Sequence, residues 1–95
     1  MRKISLAALK AFNGRYNFSK SNTRVDVNEG SVFLYLHGNL IARKPKGEAI
    51  EITTAGWDTP TTKERLNAFA GVRLTTRKGT LFLNDTEWDG SWITI

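Results

Sequence analysis

The sequence predicts an α+β fold in one domain over residues 1–95: a mainly antiparallel sheet of five to seven strands, a helix over about 61–70 on one face, and a short N-terminal helix. Three observations predict it. Apolar residues alternate with period two from Thr23 onward. Short turns rather than crossovers of about a dozen residues join the alternating runs, so neighbouring strands run antiparallel. A helix-start signature at Thr61–Glu64 interrupts the pattern. Ninety-five residues is a single-domain length, enough to bury about 60–65% of the unfolded surface.

Along the chain, Ile4, Ala8, Ala11 and Phe12 share one side of a helix over about 5–13, with Leu9 at its margin, Ser5 as N-cap and Gly14 just past its end. Residues 15–22 read as a polar connection anchored by Tyr16 and Phe18. Val25 and Val27 alternate with Arg24 and Asp26, and Asn28-Glu29-Gly30 turns the chain. Val32, Leu34 and Leu36 then face one way; Phe33, Tyr35 and His37 face the other. Gly38-Asn39 reads as a hairpin turn into Leu40–Arg43, and Pro45-Lys46-Gly47 as a turn into a strand bearing Ile50 and Ile52. The result is a four-strand meander.

The second helix opens on Thr61-Thr62-Lys63-Glu64, which has the form of a capping box, with Pro60 just ahead of it. Leu66, Phe69 and Ala70 supply its buried stripe, Gly71 ends it, and Trp57 is expected to pack where the last meander strand meets it. Lys63, Arg65 and Asn67 remain on its polar side, either a binding edge or a solvated face. Val72–Arg77, Leu81–Leu83 and Trp92–Ile95 complete the strands, separated by turns at Lys78-Gly79, Asn84-Asp85 and Asp89-Gly90.

Composition narrows the function classes. The chain has no Cys, which excludes disulfides and thiolate chemistry. Its longest wholly apolar run, Val32–Leu36, is far short of the roughly 20 residues of a membrane span, so no membrane partner is expected. Met1–Leu6 briefly imitates a signal peptide, but Lys10 breaks the apolar region and no small-residue cleavage site follows, so it reads as part of the mature fold. The net charge of +5 is uneven: residues 1–46 hold nine Lys/Arg against two acids, whereas residues 47–95 hold five against seven. A basic half favours anionic partners, or serves only solubility.

No enzymatic activity is expected. His37 is the single histidine, and no Gly-x-Ser-x-Gly elbow accompanies it. No phosphate-binding or dinucleotide glycine loop and no Cys/His metal spacing is present, so no cofactor or metal is predicted. Asp85-x-Glu87-x-Asp89-Gly90 begins like a calcium loop, but the twelfth position, which needs a bidentate Glu, falls past Ile95; the acids read as turn residues.

Two kinds of binding surface remain. Phe33, Tyr35 and His37, the pair Trp88 and Trp92, and the helix residues Lys63, Arg65 and Asn67 are candidates for contacting a protein, because aromatic residues anchor interfaces. That sheet face is open only if the N-terminal helix does not cover it. Arg24, Arg43, Lys44, Lys46, Arg73, Arg77 and Lys78 are candidates for a basic strand surface that contacts nucleic acid. A homodimer through sheet edges is a further arrangement.

Several blocks together carry a resemblance: Ser21-Asn22-Thr23-Arg24-Val25, Leu34–Ala42, Ala55–Ala68 with its Thr-Thr-Lys-x-Arg-Leu-Asn-Ala core, and Leu83–Gly90. From about residue 12 onward the chain resembles a widespread group of small proteins encoded by tailed phages and prophages. Where relatives carry Gly after the late Asn, this chain has Asp85. The resemblance implies phage origin and a setting in the host cytoplasm during infection, and no particular activity. Together with the absence of catalytic sets and the aromatic pairs Phe33/Tyr35 and Trp88/Trp92, it leads to the expectation of a non-enzymatic accessory protein that binds a host or phage macromolecule, foremost a protein, for instance a defence or transcription component.

Overall fold

A computed structural model describes residues 3–95; Met1 and Arg2 of the signal-like stretch lie outside the described residues. Helix α1 spans Lys3–Gly14. Strands β1 (Phe18–Lys20), β2 (Thr23–Asn28), β3 (Ser31–Leu36), β4 (Asn39–Lys44) and β5 (Glu51–Ile52) follow it. Helix α2 (Pro60–Asn67) then precedes β6 (Leu74–Arg77), β7 (Thr80–Leu83), β8 (Thr86–Glu87) and β9 (Ile93–Thr94). All pairings are antiparallel. The α+β class stands, with a six-stranded sheet in the order β1-β2-β3-β4-β5-β9 and a separate three-stranded sheet, β6-β7-β8.

The period-two runs fold as their spacing dictates. Val25, Leu34, Ala42 and Ile52 pair across four strands and are all buried. A bulge in β4 leaves Ile41 opposite the gap between Leu34 and Tyr35, so Ile41 and Ala42 are both buried although they are consecutive. Ala8, Ala11 and Phe12 of α1, Leu66 of α2 and the following Phe69 join the same core, and Phe12 meets Phe69 edge-on at 5.1 Å. Leu74, Leu81 and Leu83 bring the small sheet into that core. Both helices therefore sit on the Val/Leu face of the large sheet, and among the described residues no helix covers the other face.

The turns follow a common rule. Glu29-Gly30, His37-Gly38, Lys78-Gly79 and Asn84-Asp85 each place two successive residues at positive φ, the requirement of a twist-matched two-residue hairpin. The third strand thus ends at Leu36, and the hairpin is His37-Gly38 rather than Gly38-Asn39. Asp85 takes φ 68, and its carboxylate is held by both Arg73 and Arg77.

Several local expectations are corrected. Residues 15–22 are not all connection, since Phe18–Lys20 forms the edge strand β1; Tyr16 is exposed rather than anchored. Thr86–Glu87 pairs with β7 instead of lying in a turn. The N-cap of α2 is Thr59, whose hydroxyl accepts from the Thr62 amide at 3.2 Å, with Pro60 in the first helical turn. The helix consequently starts earlier than the capping-box reading places it and ends at Asn67, and Ala70 is exposed. Ser5 is not an N-cap: it is buried inside α1 and bonds to α2.

That last contact belongs to a buried polar cluster around Arg65, which lies in the core instead of on the polar side of α2. Its Nε donates to Thr23 Oγ1 at 3.0 Å, Nη1 to Ser5 Oγ at 2.8 Å and to Glu64 Oε1 at 3.4 Å, and Nη2 to Asn22 Oδ1 at 3.5 Å. Ser5 Oγ in turn donates to Glu64 at 3.0 Å. One guanidinium thus ties α2 to α1 and to the start of β2. Lys63 and Asn67 are likewise engaged: Lys63 Nζ donates to Thr76 Oγ1 at 2.7 Å, and Asn67 bonds both the amide and the carbonyl of Leu74. The three residues fasten α2 to its neighbours and do not form an open edge.

After the small sheet, Gly90 returns the chain to the large one. Its carbonyl accepts from Thr53 Oγ1 at 2.6 Å and from the Thr54 amide at 3.0 Å, seating β9 against β5. A Cβ on Gly90 would collide with Thr54 Oγ1, and its φ is +85. Beside it, the side-chain and backbone hydrogen bonds of Ser91 hold the Asp89 carboxyl below its ordinary pKa. Any stability this lends is present above the unfolded Asp pKa and is lost as pH falls through the lower folded value.

Two stability tests follow. Arg65→Ala removes the shared donor and is expected to destabilise the fold by about 3 kcal/mol in urea unfolding, and Arg65→Lys by a large part of that, because an ammonium cannot span three segments as the fork does. Gly90→Ala is expected to cost about 2 kcal/mol or more, whereas Gly56→Ala, at φ +81 with open space around it, costs about 1 kcal/mol. Equal losses at the two glycines would refute the close-approach reading of Gly90.

Candidate functional site

The open face of the large sheet is built from two rows that the register aligns. Asp26, Phe33, Arg43, Glu51 and Thr94 form one row, and Ser19, Arg24, Tyr35 and Leu40 the other. The Arg24 guanidinium lies 4.4 Å from the Tyr35 ring centroid and its Nε is 3.1 Å from Asp26. The Arg43 guanidinium lies 3.9 Å from the Trp92 ring, with its Nε 3.0 Å from Glu51. Each arginine is both stacked on a ring and matched by a carboxylate, so the face is ring-rich and nearly balanced in charge. Phe33 and Tyr35 are half-buried, and Trp92 is 37% exposed.

The sequence brings Phe33, Tyr35 and Trp92 to this face, but not their expected companions. His37 leaves the row because β3 ends one residue earlier and the turn holds His37 at φ 52. Trp88 does not pair with Trp92: it packs against the core, and its indole N–H donates to the Ser91 carbonyl at 3.1 Å.

The basic candidates do not merge into one free stripe. Arg24 and Arg43 are paired as described, and Arg73 and Arg77 close on Asp85, with Arg77 also 4.4 Å from the Phe82 ring. Lys44 and Lys46 lie at the far end of β4, and Lys78 sits in the β6–β7 turn. Four of the seven cations thus have a carboxylate partner, although Arg73 and Arg77 share one, and this pairing lowers the field any one surface presents.

A second feature was not legible in the sequence. A cleft of about 410 Å³ opens on the helix-bearing side, between the β3–β4 turn and the start of α2. Leu36 and Ile41 line it from the core, His37 and Asn39 from the hairpin, Thr54 and Trp57 from the segment after β5, and Thr59, Thr61 and Thr62 from the helix start. Trp57, expected to pack where the last meander strand meets α2, lies in that region but is 57% exposed and walls this cleft. His37 Nε2 lies 3.5 Å from the Asn22 side-chain amide, so the imidazole faces an amide and not a carboxylate. Through Asn22 the rim connects to the Arg65 cluster.

Among the described residues no group of three or more His, Cys, Asp or Glu is placed to hold a metal ion, and no helix is long and apolar enough to cross a membrane. No curated protein and no solved structure matches the chain. A family model described as Kyanoviridae Gp96 protein matches residues 1–94, nearly the whole chain. The expectation of a tailed-phage protein is thereby met at the level of the family. The chain belongs to the Kyanoviridae Gp96 family of tailed-phage proteins.

Proposed function

We propose that this chain is a non-enzymatic phage accessory protein of the host cytoplasm that binds another protein, of host or phage, through the open face of its large sheet and acts by occluding it. The arrangement of Arg24 over Tyr35 and Arg43 over Trp92 on a sheet face that no helix covers is the observation that carries this reading. Tyr, Trp and Arg are the residue types that dominate binding energy at protein interfaces. Stacking and ion pairing hold these side chains in place before any partner arrives, which lowers the ordering cost of association. A standard interface of about 800 Å² per partner would cover about one-seventh of the 5639 Å² surface, enough for steric inhibition of a defence or transcription component. The one-to-one pairing of Arg24 with Asp26 and of Arg43 with Glu51 on this face favours a protein over nucleic acid as its partner, because counterion release needs unneutralised cations. A second copy of the chain is the other protein such a face or an open sheet edge would accept.

Affinity capture from infected host lysate tests the proposal. Wild type is expected to retain a specific partner, the double variant Tyr35→Ala/Trp92→Ala to lose it by at least about tenfold, and Lys63→Glu, on the opposite side, to keep it. Equal capture by wild type and the double variant would remove the proposed face. A salt titration with single-stranded and duplex oligonucleotides separates the alternative: steep salt-dependent binding that survives the double variant would favour a basic nucleic-acid surface.

A further inference from the structure

We infer that the cleft between the β3–β4 turn and α2 is a binding site for a nucleobase, taken either as a free nucleoside or as an unpaired base of a single strand. It is separate from the open sheet face and does not depend on the reading given to that face. Its volume of about 410 Å³ lies within the range of about 300–1,000 Å³ typical of small-ligand sites. Among the described residues no Asp, Glu, Lys or Arg lines it, so its walls hold no carboxylate, ammonium or guanidinium to pair with a charged occupant; His37 is its one titratable side chain, and the lining favours an occupant that is uncharged where it is held.

The lining also fits a flat ring. Leu36 and Ile41 give an apolar floor, and the Trp57 indole stands exposed beside it. Trp57 is fixed in place: its amide donates to the Thr54 carbonyl at 2.9 Å, across a turn in which Ala55 and Gly56 both take positive φ. A large ring left this exposed gains by being covered, and base stacking is sequence-tolerant in what it accepts. The polar groups divide in a telling way. Thr59 and Thr62 hydroxyls are occupied with each other at 3.0 Å in capping α2. The Asn39 side-chain amide has no protein hydrogen-bond partner among the described residues, and it offers a donor and an acceptor side by side. That paired donor and acceptor is what reads the edge of a base. A hexose would have to set part of its rim of hydroxyls against Leu36, Ile41 and Trp57, where those hydroxyls find no partner.

The test is a titration of the full chain followed by amide and indole NMR signals. Adenosine, guanosine, cytidine and thymidine form one arm, single-stranded and duplex oligonucleotides a second, and methyl glucoside a control. At least one nucleoside at millimolar concentration, or the single strand, is expected to shift the Trp57 indole and Asn39 amide signals saturably. Trp57→Ala should weaken binding about tenfold or more, Asn39→Asp should weaken it and change which base is preferred, and Tyr35→Ala should leave it unchanged. A single strand that binds much more tightly than its nucleosides identifies the source as nucleic acid; equal affinity identifies the free nucleoside. The inference is overturned if no nucleoside or oligonucleotide moves these signals, if Trp57→Ala and Asn39→Asp bind as wild type, or if methyl glucoside binds as tightly as any base.

Discussion

A guanidinium inside so small a core is tolerable only where its N–H groups find acceptors, and Arg65 finds them on three segments at once. Ser5 comes from α1, Asn22 and Thr23 from the start of β2, and Glu64 from α2 itself. No one of these segments satisfies the charge alone. The cluster therefore specifies where both helices sit as well as how firmly. With α1 and α2 committed to the same side, the Val/Leu face is covered and the Phe33/Tyr35 face is left bare. The open face is thus a consequence of where a buried charge had to be satisfied, and the cleft is the gap left where α2 meets the end of the β3–β4 hairpin.

How far this was readable depends on the residue. The strand face of Val32, Leu34 and Leu36 was legible because a period of two admits one assignment once one face is apolar. The antiparallel meander was legible for the same reason, helped by turn chemistry. Arg65 was not, because charged residues on a helix are ordinarily solvent-facing. Yet Thr62, Arg65, Leu66 and Phe69 are spaced at i, i+3, i+4 and i+7, so the buried stripe was present in the sequence; two of its members are polar, which hid it. The cap of α2 was misplaced by a short distance because Thr61–Glu64 imitates a capping box, while Thr59-Pro60 carries the cap that forms. Trp57 was expected where the last meander strand meets α2, and it stands in that region but largely exposed. The cleft it walls joins three regions distant in sequence and leaves no local signature.

Electrostatics shows the same limit. The sequence divides into a basic and an acidic half, which suggests one cationic surface. In the fold, Arg24 and Arg43 are matched by Asp26 and Glu51 from within the sheet, and Arg73 and Arg77 converge on one turn aspartate. Charge asymmetry along a chain becomes a surface field only where the fold leaves the like charges unpaired, and here it pairs the arginines of the open sheet face.

The return of β9 to the large sheet has a consequence for how the protein assembles and opens. Strands β1 to β5 pair with neighbours in sequence, but Ile52 waits for Ile93, 41 positions on, and the joining strand is two residues long. Contacts this distant form late, and a pairing only two residues long opens readily. Each opening bares the β5 edge and frees a segment whose Ile93 and Ile95 are already exposed, so the strand that closes one molecule is also one readily lent to another. The hold of Gly90 on Thr53 and Thr54 then acts as a latch against strand exchange between copies.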